Sequence, residues 1–399
     1  MSHDFAERTH RRLLVFVALL AAATMIGLIV LWPSAGDLPD IPALDPLYRA
    51  TIEAVEPYQS EPDPLAGQFG QSALVTVAVH EGPEAGQTLE IDMDLAGLPA
   101  LAPGDVVMLA RFDGADVGGA PFYSIADFER TGSLWLLAAL FVGVVVAVGR
   151  WHGVRSLLGL VVSLAVIVKF VVPAILAGQS PAAVALVGAM AVMIVTLYLG
   201  HGVNHKTTAA VIGTAAALAV TAGMGLFFIG RTGLTGFVTE EAQSVRFLIE
   251  GIDLSGLVLA GLIIGALGVL DDVTVSQAST VYALHDTDRT LSGVELMRRA
   301  MRVGRDHIAS TVNTLFLAYA GASLMLLILF STSGAGAGEI INSEAFAEEL
   351  VKTLVGSIGL IAAVPLTTAL AATLAVRRPF DPTAAAPTPP SAPDAHHGH

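Results

Sequence analysis

Two adjacent carboxylates, Asp271 and Asp272, close an apolar run that begins at Leu254. Carboxylates at a helix C-terminus oppose the macrodipole, so their placement asks for a reason. In one reading Asp272 caps a further helix starting at Val273. In the other the pair binds a cation or exchanges protons at a membrane surface, with Ser276 and Gln277 one turn on. Such an oxygen-donor set suits Mg²⁺, Mn²⁺ or Ca²⁺ better than copper. Lys169 stands alone in another apolar run, with Pro173 four residues on. It lies about eight residues, or roughly 12 Å, from the outer end of that run. It either snorkels to the surface or acts inside the bundle as a counter-ion or gate. Asn313, with Thr311 and Thr314, can hydrogen-bond across helices.

The stretch Gly200-His201-Gly202-Val203-Asn204-His205-Lys206-Thr207 nearly spells a phosphate-binding loop. His205 replaces the second glycine, and the stretch follows an apolar helix rather than a strand, so nucleotide binding is rejected. His201 and His205 are four apart and share a face if the stretch is helical. They then ligate a metal or titrate near neutral pH. The other reading is a polar interfacial turn, built from His201, Asn204, His205 and Lys206, that caps the helix of Thr207.

The elements that position these residues are membrane spans. The 399 residues are 54% hydrophobic and only 14% charged, against about 25% charged in soluble domains. The absence of cysteine excludes disulfides, thiol nucleophiles and thiolate metal sites. A bilayer core of about 30 Å needs roughly 20 apolar residues per helix. Eight runs are candidates: 13–32, 134–148, 157–176, 182–199, 207–229, 254–270, 311–330 and 354–376. The first is an uncleaved anchor, because its apolar run exceeds a signal-peptide core and Pro33-Ser34-Ala35 is a poor cleavage site. With the N-terminus in the cytoplasm, 13 Lys and Arg residues fall inside and 6 outside, Lys352 among the latter. The positive-inside rule then places both termini in the cytoplasm. Gly256, Ala260, Gly261, Gly265 and Gly268 mark the sixth span as a central helix that others approach closely.

Residues 33–132 carry 17 acidic and 3 basic residues, nearly all of the chain's net −15. An acidic surface attracts cations or simply keeps an exposed domain soluble. After a proline-rich lead-in, five strand-like runs follow at 50–56, 73–80, 88–93, 106–112 and 122–128. Thr76, Ala78 and His80 alternate with Val75, Val77 and Val79, as a half-buried strand requires. A small OB-like barrel or sandwich is expected, with His80 structural.

The domain reading is therefore 1–32, cytoplasmic N-terminus and first span; 33–132, extracytoplasmic β-domain; 133–376, seven-span domain with a basic cytoplasmic loop at 273–310; and 377–399, a disordered Pro/Ala/His tail. Within that loop Ser292 to Glu295 reads as a capping box. Val294, Met297, Met301, Gly304 and Ile308 form the apolar face of a basic helix lying along the inner leaflet. His396, His397 and His399 on the tail make a weak metal site at best.

Several stretches together resemble the YibE/F-like multi-pass membrane proteins. They are Gly202 to Ala210 with Ile212-Gly213-Thr214, Gly265 to Gly268 leading into Asp272-Val273, and Asn313 to Tyr319. Val355 to Gly359, Val364 to Thr368, the external Gly82 to Gln87, and Asp127-Phe128 with Arg130 complete the likeness. One departure is Val275-Ser276-Gln277-Ala278-Ser279, where the family carries a Ser-Ile-Ser-like run. The resemblance implies a bacterial inner-membrane protein and supplies no mechanism.

The first functional expectation is a permease or secondary transporter for a cation or other small solute, using Lys169, Asp271, Asp272, Ser276, Gln277 and Asn313. The alternative is an envelope-assembly or signalling scaffold that binds a partner through the β-domain. No His-Glu-x-x-His helix or usefully spaced Ser/Lys or Ser/His pair supports an enzyme, and no cofactor or nucleic-acid partner is expected. The bilayer is the expected partner, with a homo-oligomer or an envelope protein left open.

Overall fold

The computed structural model describes residues 2–34, 36, 38–39, 45–59, 71–95, 100–112 and 121–377. Residues 40–44 of the proline-rich lead-in, residues 60–70 and the histidine-bearing tail from 378 on lie outside these. The chain forms two compact units, one of residues 40–150 and one of residues 1–39 with 151–399.

The first unit holds five antiparallel strands: β1 (Leu47–Gln59), β2 (Gln71–Val79), β3 (Thr88–Asp94), β4 (Val106–Phe112) and β5 (Phe122–Phe128). Their order is β3-β2-β1-β4-β5, so β3 and β5 are edges and the sheet is open. Of the OB-like barrel or sandwich expected from the sequence, the described residues form one open sheet, with no hydrogen-bonded ladder joining those edges. The alternation read in β2 is real: Val75, Val77 and Val79 are buried with Ala50, Ile52, Val107 and Leu109 on one face. Pro57, expected in the lead-in, lies within β1. There β1 pairs β2 but no longer β4, whose ladder stops at Thr51, so the missing N–H costs no sheet bond. His80 Nε2 lies 2.7 Å from Thr51 Oγ1, a tie across the sheet.

Among the described residues, six helices are long and apolar enough to cross a membrane. They become seven if α8 (Gly293–Ala322) and α9 (Leu324–Thr332), bent by 62°, are one span. The expected eight are not reached because 134–148 and 157–176 fall in one stretch, Thr131–Leu176, of 46 residues. That stretch comprises α2 (Thr131–Val166), a π-helical turn (Ile167–Val171) and α3 (Val172–Leu176). At 1.5 Å per residue it would run to roughly 70 Å, over twice a bilayer core. Arg150 interrupts it with φ 49° and ψ −129°, and the boundary between the two units falls there.

The second unit is built around α5 (His205–Thr232), α7 (Leu254–Thr287) and α11 (Glu344–Val376). Close approach there is set by reciprocal notches. A Cβ on Gly213 would collide with Thr367 of α11, and one on Gly359 of α11 would collide with Thr221 of α5. Lipid supplies no hydrophobic drive between helices, so such small-residue contacts carry the association. The α4 helix (Pro181–His201) packs on α7, and Gly27 of α1 (Ser2–Val30) packs on Val187 of α4. As the small residues suggested, α7 is central: Ala260, Ile263, Leu267 and Leu270 are all buried.

The basic stretch 273–310, read as a loop that holds one helix, is mostly helical. Helix α7 runs unbroken through it to Thr287, and α8 begins at Gly293. Ser292 caps α8 by accepting from Glu295 N at 3.3 Å. The other half of the expected box is missing, because Arg298 and Arg299 hold the Glu295 carboxylate at 2.7 and 3.1 Å. The buried face of α8 is Leu296, Ala300 and Gly304, with Met297, Met301 and Ile308 partly covered, whereas Val294 is exposed.

Candidate functional site

The continuity of α7 changes what Asp271 and Asp272 are. They neither end one helix nor cap another, since Leu254–Thr287 is a single helix. Neighbouring helix residues point about 100° apart and do not face each other. Asp272 is accordingly exposed, while Asp271 turns into the bundle.

Asp271 lacks a good donor. Its Oδ1 is buried with no hydrogen-bond partner, and its Oδ2 lies 3.5 Å from Thr196 Oγ1 on α4. A threonine hydroxyl has one hydrogen. That of Thr196 is better placed on the Val192 carbonyl, at 2.8 Å. A buried carboxylate in this condition calls for a partner, because removing a charge from water costs several kcal/mol unless it is paired.

The side chain lines a cavity of about 640 Å³ between α4, α7, the second half of α2 and the π-turn. Its walls are mainly aliphatic, among them Leu160, Val166, Ile167, Val171, Val192 and Ile264. Gly159, Gly188, Gly200 and Gly268 line it too. Gly159 faces Thr196, and Gly188 takes the Val171 side chain, which fixes the π-turn against α4. π-Turns inside helices recur at functional sites. At the end where α4 stops, His152, Arg155, His201 and Asp272 complete the lining.

The other sequence candidates scatter. Lys169 is on the π-turn but exposed, and does not line the cavity. Ser276 and Asn313 are also exposed. Gln277 is buried as a tie among three helices, donating to the Ala300 carbonyl at 3.1 Å and to Thr368 Oγ1 at 2.7 Å. His201 and His205 do not share a face: α4 ends at His201, Gly202 takes φ 74°, and α5 begins at His205. Asn204 caps α5 by accepting from Thr207 N at 2.9 Å, and donates to the His201 carbonyl at 2.8 Å. Lys206 is half-buried in the first turn of α5. Among the described residues no three His, Asp or Glu gather as metal ligands.

A family model described as YibE/F-like protein matches residues 137–377. The chain belongs to the YibE/F-like family. The matched stretch contains every element around the cavity, and starts after the β-sheet. The external stretches 82–87 and 127–130 lie outside it. No curated protein matches the chain, and no solved structure does.

Sequence reasoning missed two features of this YibE/F-like chain. Thr196, which approaches Asp271, and His152 and Arg155, which line the same cavity, went unremarked, since only the fold brings α2, α4 and α7 together. A half-buried ion cluster also escaped: Lys352 of α11 bridges Glu348 at 2.7 Å and Glu349 at 3.0 Å. Ser323, at the bend between α8 and α9, donates to Glu349 at 3.2 Å. Lys352 was assigned to an external loop, and the helix that holds it starts at Glu344. Gly321-Ala322-Ser323 within an apolar run was the available signal for the bend.

Proposed function

We propose that this protein is a permease or secondary transporter of the bacterial inner membrane that moves a cation or other small solute through the cavity around Asp271. The observation that carries the reading is a carboxylate inside an apolar bundle, without an adequate donor, facing a space large enough for a solute. Ionisable residues at membrane depth mark substrate or proton pathways by default. The bent pair α8 and α9, with Glu349 at the bend, adds the kind of interrupted helix that transporters use. The topology proposed is eight crossings with both termini cytoplasmic, Thr131–Leu176 supplying two of them on either side of Arg150. Lys and Arg placement supports that orientation.

The test is flux in proteoliposomes under cation and proton gradients, comparing the native protein with Asp271→Asn and, separately, Asp272→Asn. Flux should vanish with the first and persist with the second. Equal flux in all three removes Asp271 from the pathway. No flux under any gradient, from protein shown to be folded, refutes transport and moves the weight to a scaffold acting through the β-domain.

A further inference from the structure

We infer that the ligand of the Asp271 cavity is an organic primary or secondary amine carrying an apolar body, bound in its protonated form. The inference rests on reading this cavity as the solute passage, and it names the class of solute.

The first argument is size. A space of about 640 Å³ lies in the range of pockets for drug-sized molecules, roughly 300–1,000 Å³, and far exceeds a bare ion. The second is the wall. Leu160, Val166, Ile167, Val171, Val192 and Ile264 offer aliphatic surface to a ligand's carbon body and nothing to an ion's hydration shell.

The third argument is which polar groups remain available. Ser163 donates to the Gly159 carbonyl at 2.9 Å, and Thr196 to that of Val192 at 2.8 Å. Both hydroxyls have spent their hydrogens and present lone pairs. Asp271 Oδ1 presents another. Apart from Ser156 and the groups at the end where α4 stops, the polar side chains that line the cavity are thus acceptors in search of a donor with positive charge. An ammonium group supplies both.

Two other cations fit worse. Mg²⁺ and Ca²⁺ need about six or more oxygens. Here Asp271 and Asp272 diverge around the helix, and the described residues gather no third carboxylate or histidine with them. A quaternary ammonium has no N–H to give and is recognised by aromatic cages. No Phe, Tyr or Trp lines this cavity.

Gly268 supplies an independent handle. A Cβ there meets no atom within 4 Å, so a larger side chain can be placed without displacing the backbone, and it projects beside the cavity that Gly268 lines. Gly268→Leu fills the space for an amine's body while leaving Asp271 in place.

The experiment is calorimetric titration of the full-length protein in lipid nanodiscs, corrected with empty discs. The probes are 3-phenylpropylamine, 3-phenylpropanol, 3-phenylpropyl-trimethylammonium and MgCl₂. The amine should saturate one site and bind about tenfold or more tighter than the alcohol, as one charge-assisted hydrogen bond implies. Asp271→Asn should erase that advantage, and Gly268→Leu should abolish amine binding. Thermal unfolding in the same discs identifies a variant that fails to fold, and Gly268→Leu then decides alone. Equal binding of amine and alcohol, or of amine and trimethylammonium, overturns the inference. So does Mg²⁺ binding that is lost in Asp271→Asn but survives Gly268→Leu. Amine binding without flux would refute transport and keep the amine; flux of inorganic ions without amine binding would do the reverse.

Discussion

The same substitution on one helix should have opposite effects at two positions ten residues apart. Gly213 and Gly223 both lie in α5. Gly223 faces no atom within 4 Å of where a Cβ would stand. Gly223→Ala should therefore collect the helix-propensity gain alone, up to about 1 kcal/mol. At Gly213 the new methyl collides with Thr367 Oγ1. It would also stand 3.0 Å from Thr367 Cβ and 3.3 Å from its backbone Cα. A rotamer change moves Oγ1 but neither of the other two, so α5 and α11 must separate. Overpacking of this kind costs about 1–3 kcal/mol, which exceeds or cancels the propensity gain. A net loss of about 1 kcal/mol is the expected result. The Oγ1 atom of Thr367 is itself buried without a hydrogen bond, so Thr367→Ala should be neutral or slightly stabilising by itself. Combined with Gly213→Ala it should restore part of the lost stability, since it removes the Oγ1 collision and leaves Cα and Cβ of position 367 in place. Equilibrium unfolding in mixed dodecylmaltoside and SDS micelles, followed by tryptophan fluorescence, measures all four variants. A gain at Gly213 equal to that at Gly223, or no rescue by Thr367→Ala, would refute the notch as what holds α5 and α11 together.

Three further outcomes follow from local geometry. Gln277→Ala removes two buried hydrogen bonds that tie α7 to α8 and α11 and, at about 0.5–1.5 kcal/mol each, should destabilise the protein by about 1–3 kcal/mol in the same unfolding assay, whereas the exposed Ser276→Ala should change little. Asn204→Ala removes the α5 cap and should cost about 0.5–2 kcal/mol, with Asn204→Asp largely retaining stability. In the β-sheet unit, burial first and then the hydrogen bond to Glu84 push the Tyr123 hydroxyl up to about 12. The folded state then holds this proton more tightly than the unfolded chain. The associated stability is complete below about pH 10 and declines as pH rises toward 12. Unfolding midpoints of the native protein and Tyr123→Phe across pH 8 to 12 should converge at the alkaline end, and a constant gap would contradict the assignment.

Much of the architecture was legible because its signals are periodic. Valines alternating along β2 and apolar runs along the membrane helices need no tertiary knowledge to recognise. The strands came out close to their observed limits for that reason. Helix continuity was not legible across Asp271 and Asp272: charged residues look like a span's end, and hydropathy does not register that a helix runs on past the membrane. The second half of α7 was read as part of a loop for the same cause, whereas the first half of α8 was read as a helix within it. Of the candidate site, Asp271 could be singled out, together with Asp272, as a carboxylate closing an apolar run. Its surroundings could not, because Thr196 is 75 residues away in sequence and meets it only through packing. Gln277 shows the converse. It sits one turn from the carboxylates in sequence, yet its amide belongs to Ala300 and Thr368, so proximity along the chain misread a structural tie as a functional group.

The contact of Gly27 with Val187 has a consequence for how the protein is made. The two residues belong to one compact unit, yet 160 residues separate them, and the whole of the other unit is synthesised in between. At about 5–20 residues per second, α1 emerges roughly 10–30 s before the helix that receives it. During that interval its glycine face has only lipid against it. The sheet unit, whose sequence is continuous, has all its strands available before α4 exists, so the helical unit assembles alongside a segment made long before it.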